Sequence, residues 1–351
     1  MKIQIKLLSW FHQHKRNLPW RRTVNPYHIW VSEIMLQQTR VETVIPYYQK
    51  FLKEFPTIKD LAKSPLNKVL KLWEGLGYYA RARNLHKASQ YILKNNHGKI
   101  PKTFEDVSSL PGIGRYTAGA ICSIAYGTKV PVLDGNVIRV LTRLYAIQED
   151  PRKSGINQKL WQLATDLLPT KNPGDLNQAL MELGATICTP RNPTCLICPV
   201  NDFCDALREG LMDSIPFKKE KKKLPHYHIS AGVIWKDKKI LIGQRPHSGL
   251  LGGLWEFPGG KQEKRETLQQ CLKREIKEEL DIDIKVEDFI MKVNHAYSHF
   301  AIALHVFHCR YQKGKPKKIG CADFKWVTPP QLRKYAFPAA NQPVIAHLLA
   351  N

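Results

Sequence analysis

Four cysteines, Cys188, Cys195, Cys198 and Cys204, stand in the segment GATICTPRNPTCLICPVNDFC with the spacing C-x6-C-x2-C-x5-C. Four thiolates this close together can wrap one tetrahedral metal ion or one iron–sulfur cluster, which obliges the chain between them to close into tight turns. Structural zinc sites usually pair two short knuckles, and only one C-x2-C pair occurs here, so the spacing by itself admits zinc and iron–sulfur alike. Eight cysteines in all would also permit disulfides. Against them, the first twenty residues, MKIQIKLLSWFHQHKRNLPW, carry charge throughout and lack the apolar centre of a secretory signal. No run is long and apolar enough to span a membrane. The expectation is a cytoplasmic chain whose thiols stay reduced. Cys122, Cys271, Cys309 and Cys321 are scattered and read as small buried apolar residues.

The chain has 351 residues, enough for two domains with separate cores. Lys and Arg number 54 against 30 acidic residues, a formal net charge of +24. Such an excess favours a polyanionic partner, nucleic acid ahead of a membrane, because no basic amphipathic helix stands apart from a core pattern. Residues 1–205 show apolar positions at helical spacing, as in Val137, Val140, Leu141 and Leu144. Residues 206–225 read as a basic linker, and the lysine run FKKEKKKLPHYH (217–228) could also touch DNA phosphates. Residues 226–351 change character. ISAGVIW and KKILIGQ alternate around a Lys236–Asp237–Lys238 turn, GLLGGLWEFPGGK reads as a Gly-rich loop, residues 266–280 as a helix and 300–311 as a strand. The fold class is therefore a mostly α N-terminal domain followed by an α+β domain.

Two motifs precede the cysteines. In LPGIGRYTA, Gly112 and Gly114 bracket one apolar residue in a sharp turn that opens a helix, and backbone N–H groups there suit a DNA phosphate. An ordinary helix–helix turn has the same pattern. In VPVLDGNVIRVL, Asp134 and Asn136 precede an apolar helix, and helix capping suits Asn136 better because it directly precedes the periodic residues. The glycine turn, the aspartate beyond it and the four cysteines, in this order and spacing, resemble the endonuclease III superfamily of DNA glycosylases. The resemblance implies a helix-hairpin-helix glycosylase fold, a catalytic role for Asp134 and a [4Fe–4S] cluster on Cys188, Cys195, Cys198 and Cys204. It also implies that the cluster holds a basic loop containing Arg191 against DNA.

Within that superfamily, lyase members carry a lysine nucleophile where this chain has Tyr116, and tyrosine cannot form a Schiff base. The segment WVSEIMLQQTRVETVIPYY resembles the MutY-type adenine DNA glycosylases. On a helix, Glu33 shares a face with Ile29, Leu36 and Gln37, and a carboxyl in such company stays protonated. By resemblance Glu33 is the acid that protonates adenine at N7. Asp134 stabilises the sugar cation or bonds to it transiently, Tyr116 and Asn136 support the site, and water completes a monofunctional hydrolysis. Glu182 matches a further active-site carboxylate, with a buried structural hydrogen bond as its alternative. The loop WEGLGYYARARNL resembles the family's intercalation loop, in which Tyr78 wedges beside the orphaned base and Gln38 fills space from the other side. Arg21 matches a residue near the adenine pocket.

The second domain contains G-x5-E-x7-R-E-I-K-E-E from Gly260, which resembles the Nudix box. The box ends in Asp281 where glycine is usual. Glu275, Glu278 and Glu279 share a helix face and by resemblance would hold Mg²⁺. By resemblance to the MutY-type enzymes, whose C-terminal domain is similar to MutT, the loop Tyr297, Ser298 and His299 would touch 8-oxoguanine in the opposite strand. The combined expectation is a monomeric enzyme of base excision repair, associated with a bacterial nucleoid. Its partner would be duplex DNA with adenine opposite 8-oxoguanine or guanine. The alternative from another class is a Nudix pyrophosphatase acting on oxidised nucleotides.

Overall fold

The computed structural model describes residues 2–218 and 224–350. Residues 219–223 of the lysine run lie outside the described residues. By internal contacts the chain forms two compact units, one of residues 1–63 with 84–220 and one of residues 64–83 with 221–351. The second unit thus takes a stretch out of the helical part that composition assigns to residues 1–205.

The first unit is helical. Its Pro26–Leu36 helix starts where Asn25 accepts from the Tyr27 N–H and Pro26 supplies a preset φ. Ile29 through Met35 are all buried, so this helix is enclosed on every side, not on one stripe. The Gly135–Leu144 helix is amphipathic: Val137, Val140, Leu141 and Leu144 enter the core. There they join Leu7 and Phe11 of the Lys2–His14 helix, Leu160 of Ser154–Leu167, and Leu176, Leu180 and Leu183 of Pro173–Thr186. Arg139 and Arg143, on the same helix, are buried too. After the cysteines the chain does not run straight into a linker. A short helix, Asp205–Arg208, buries Ala206, and Ile215 is also fully enclosed. Within 206–215, Ala206 and Ile215 thus anchor a segment whose other residues are exposed or half-buried.

The second unit is a mixed sheet of seven strands between helices. The strands are β1 (His226–Lys236), β2 (Lys239–Gln244), β3 (Trp255–Glu256), β4 (Gly259–Lys261), β5 (Asp283–Ala296), β6 (Ala301–Lys313) and β7 (Asp323–Val327). Their order is β3-β2-β1-β6-β5, with β4 on β1 and β7 on β2. Only β1–β6 is parallel among these pairings. The β1–β2 hairpin turns at Asp237, whose φ of 55° is the left-handed conformation a two-residue turn demands. The Gly-rich stretch expected as a loop instead contributes β3 and β4. The Leu268–Leu280 helix, opened by a Thr267–Gln270 capping box, buries Leu272 and Ile276 on one face of the sheet. The Gln342–Ala350 helix packs Val344 and Leu348 on the other.

Candidate active site

In the first unit, three segments distant in sequence meet. Glu33 is only 5 % exposed in the middle of its helix. The Tyr116 hydroxyl, from the first turn of the Arg115–Tyr126 helix, donates to Glu33 Oε2 at 2.5 Å. The Met181 sulfur lies 3.3 Å from the same hydroxyl. Burial pushes the Glu33 carboxyl up to about 7, further helped by the charge of Asp134 and opposed by the Tyr116 hydrogen bond and Arg21. Burial likewise raises the Tyr116 phenol well above its ordinary range.

Asp134, not Asn136, caps the helix. Its Oδ1 accepts from the Val137 N–H at 2.7 Å, and its Oδ2 accepts from Asn136 Nδ2 at 2.9 Å. Asn136 sits inside the first turn, which corrects the capping role read from sequence: the helix begins at Gly135. Burial raises the Asp134 carboxyl, while the Val137 and Asn136 donors and Arg139 favour its charged form. The Asn136 carbonyl oxygen in turn accepts from Arg139 Nη2 at 2.9 Å.

Arg139 was not singled out in the sequence, and it links this cap to the cysteine array. It donates to the Gly184 carbonyl at 2.7 Å and, through Nε, to the Cys188 carbonyl at 2.7 Å. Arg143, one turn on, donates to the Thr189 carbonyl at 2.7 Å and to Cys188 Sγ at 3.4 Å. The available signal was the pattern VIRVLTRL, in which two arginines interrupt an otherwise apolar helix.

Glu182 is 1 % exposed and fully engaged. It accepts from the Arg16 backbone N–H and side chain at 2.8–2.9 Å and from Arg21 Nη2 at 2.8 Å. Burial pushes its carboxyl up, but these donors outweigh burial and hold it at about 2. Arg21 is therefore committed to an ion pair, and it also lies over the Phe11 ring at 5.4 Å. Gln38 is exposed just past the end of the Pro26–Leu36 helix, with a φ of 57°. Gly114 starts the Arg115–Tyr126 helix, with open space where a side chain would go. Gly112 has a φ of +74°, and a Cβ there would stand 2.5 Å from Asn84.

At the cysteine array Cys188 is buried and the other three thiols are half-buried. Burial raises Cys198 to about 11, opposed by the Val200 N–H and helped by the charges of Cys188, Cys204 and Cys195. Four thiols within seventeen residues are a soft donor set suited to iron–sulfur chemistry. Among the described residues, no three His, Cys, Asp or Glu side chains are gathered as a single metal ion requires.

The same holds among the described residues of the second unit. Arg274 there binds Glu266 at 2.8 Å, Glu275 at 3.0 Å and Glu278 at 3.2 Å. Burial, with the charges of Glu256 and Glu275, pushes Glu279 up to about 7. Tyr297, Ser298 and His299 form the β5–β6 loop, closed by the Tyr297 N–H donating to the Phe300 carbonyl at 2.8 Å. Ser298 and His299 are exposed, and the Tyr297 ring packs on Phe300 and His295. Tyr78 belongs to this same unit, and its hydroxyl is hydrogen-bonded to Ser298 Oγ.

Three family models match the chain in order. The HhH-GPD superfamily base excision DNA repair protein matches residues 31–165, the iron–sulfur binding domain of endonuclease III residues 188–204, and the NUDIX domain residues 230–347. The adenine DNA glycosylase of Rattus norvegicus is 36% identical, covering 96% of this chain and 76% of its own length. That of Homo sapiens is 37% identical, covering 96% of this chain and 72% of its own length. The chain belongs to the adenine DNA glycosylase family. It is thus a DNA glycosylase of base excision repair, with an iron–sulfur binding segment that starts at Cys188 and ends at Cys204. A thermostable thymine-DNA glycosylase superposes with a TM-score of 0.55 at 30% identity, covering 59% of this chain and 95% of that one. An endonuclease III trapped covalently on DNA, at 21% identity and a TM-score of 0.51, shares the fold over 60% of this chain and 99% of its own. Family membership does not favour the pyrophosphatase alternative. No helix among the described residues is long and apolar enough to cross a membrane.

Proposed function

We propose that the enzyme removes adenine paired with 8-oxoguanine or guanine in duplex DNA, by monofunctional hydrolysis of the N-glycosidic bond. The observation that carries this reading is the buried Glu33 carboxyl, held near 7 and hydrogen-bonded to Tyr116, beside the capped carboxylate of Asp134. Two carboxyls in such different surroundings suit two different roles. Glu33, its carboxyl pushed up to about 7, carries a proton in a substantial share of molecules at neutral pH and gives it to adenine N7, which makes the base a neutral leaving group. Asp134, oriented by Val137 N–H and Asn136, faces the positive charge that develops on the sugar, and water then adds to that sugar. Tyr116 orients Glu33 and offers no amine for lyase chemistry. Gln38 and Tyr78 fill the gap left by the flipped adenine, and Tyr297, Ser298 and His299 read the opposite base. Gly112 and Gly114 seat the hairpin on the DNA backbone.

Cys188, Cys195, Cys198 and Cys204 would hold a [4Fe–4S] cluster, which when bound supplies a rigid, redox-capable cross-link closing the loop that carries Arg191. Arg139 and Arg143 anchor that loop to the helix of Asp134. Arg274 pairs with Glu275 and Glu278, and burial pushes Glu279 up to about 7, so these carboxyls would hold Mg²⁺ only on releasing Arg274 and a proton.

Single-turnover excision on duplexes with adenine opposite 8-oxoguanine, guanine and cytosine tests the proposal. Activity on the first two, abolished in Glu33→Gln, is the expected result. Undiminished activity in that variant would overturn the mechanism.

A further inference from the structure

The loop 73–79 carries three left-handed residues in close succession: Gly75 at φ 101°, Gly77 at φ 69° and Tyr78 at φ 47°. Tyrosine adopts that conformation only where its surroundings impose it. Part of the restraint is local. Arg81 Nη2 donates to the Leu76 and Gly77 carbonyls at 3.1 and 3.2 Å, and Trp73 Nε1 donates to the Gly77 carbonyl at 3.1 Å. The rest comes from the C-terminal part of the same unit and centres on one side chain. Glu74 Oε1 accepts from the buried Phe337 N–H at 2.8 Å and from Gln342 Nε2 at 3.0 Å. Its Oε2 accepts from Lys71 Nζ at 2.5 Å, and Lys71 reaches on to the Tyr335 carbonyl at 2.9 Å. At the far end of the loop, Tyr78 meets Ser298 and Arg83 Nη1 donates to the Gly252 carbonyl at 2.7 Å.

The sequence motifs treat the wedge and the base-reading loop as separate devices. The hydrogen bonds make them one. We propose that Glu74 is a positioning residue that pins the Tyr78 loop to the 335–342 segment and so holds Tyr78 against Ser298 of the reading loop, making discrimination of the base opposite adenine depend on a carboxylate that touches no DNA. This inference rests on the function proposed above. A charged acceptor shared by a backbone N–H, an amide and an ammonium holds the loop more firmly than neutral bonds do. Without it, Tyr78 is held only by the local Arg81 and Trp73 bonds, and its hydroxyl is less firmly placed against Ser298.

The test measures single-turnover excision by the full-length, iron-loaded enzyme on duplexes with adenine opposite 8-oxoguanine and opposite guanine. Glu74→Ala is expected to lower the preference for 8-oxoguanine about tenfold, the worth of one charge-assisted hydrogen bond, with a larger loss of rate opposite 8-oxoguanine than opposite guanine. Glu74→Gln keeps an acceptor for Phe337 and Gln342 and is expected to recover much of the preference. In Glu74→Ala/Ser298→Ala the two losses are expected to be non-additive, since both act on one linkage. An unchanged preference in Glu74→Ala, or equal loss on both duplexes in both Glu74 variants, overturns the inference and leaves Glu74 a purely structural residue. Failure of the wild type to excise adenine opposite 8-oxoguanine would instead overturn the function proposed above.

Discussion

At the scale of single residues, the decisive effect is the burial of Glu33. Burial pushes its carboxyl from the ordinary value of 4.5 up to about 7. The folded state therefore binds this proton more tightly, and its contribution to stability is complete below pH 4.5 and lost as the pH rises through 7. Two consequences can be measured. The single-turnover rate should fall as the pH rises above about 7, because the acid loses its proton. Glu33→Gln should melt higher than the wild type at pH 8, by up to roughly 3 kcal/mol in stability, with the advantage shrinking toward pH 5. A melting difference that stays constant across that range would mean the carboxyl is not held protonated. Gly184 supplies another residue-level test. A Cβ there would lie 2.6 Å from Asn136 Cβ and 3.0 Å from its backbone. Gly184→Ala should therefore displace the Asp134–Asn136 cap, costing about 1–3 kcal/mol and slowing excision. Gly155→Ala, at a helical position with nothing within 4 Å, serves as the neutral control in the same melts and assays.

At the scale of elements, the glycine hairpin shows how two similar residues differ once their surroundings are known. Gly112 needs a left-handed φ and lies against Asn84, whereas Gly114 has an ordinary φ and open space. Gly112→Ala is expected to weaken duplex binding about tenfold, from strain and contact together, and Gly114→Ala much less. Equilibrium binding at one fixed salt concentration distinguishes them, since phosphate contacts are strongly salt-dependent. From the sequence the two glycines looked equivalent, because a turn motif specifies spacing and leaves open which glycine bears the strain. The Asp134 helix teaches the same lesson. Both Asp134 and Asn136 are good capping residues, and the choice between them depended on where the helix begins, a matter of one or two residues that local pattern does not resolve.

At the scale of the molecule, the cysteine array and the active site are one construction, joined by Arg139 and Arg143. If the four cysteines hold a [4Fe–4S] cluster, purified enzyme should be brown and contain about four irons per chain. Removing the iron should abolish DNA binding and lower the melting transition of the helical unit while leaving that of the sheet unit in place. Retention of duplex affinity by iron-free protein would sever the cluster from recognition. The local patterns of the chain determined a great deal: the helical character of the first part, the sheet character of the second, the metal-binding array, and the identity of Glu33, Tyr116 and Asp134 as candidates. The helical and sheet characters follow from periodicity, the cysteine array from spacing within seventeen residues, and the three candidates from motifs that resemble a known family. Only the tertiary structure decided that Glu182 is saturated by Arg16 and Arg21, that Arg139 joins Asn136 to Cys188, and that Glu74 holds Phe337 and Tyr78 meets Ser298. Those pairs are separated by tens to hundreds of residues, and no local periodicity encodes a partner at that distance. The same reason applies to the carboxyl that began this site. A glutamate on an apolar helix face suggests poor solvation, but how far its proton affinity rises depends on what closes over it, and that is a property of the packed fold.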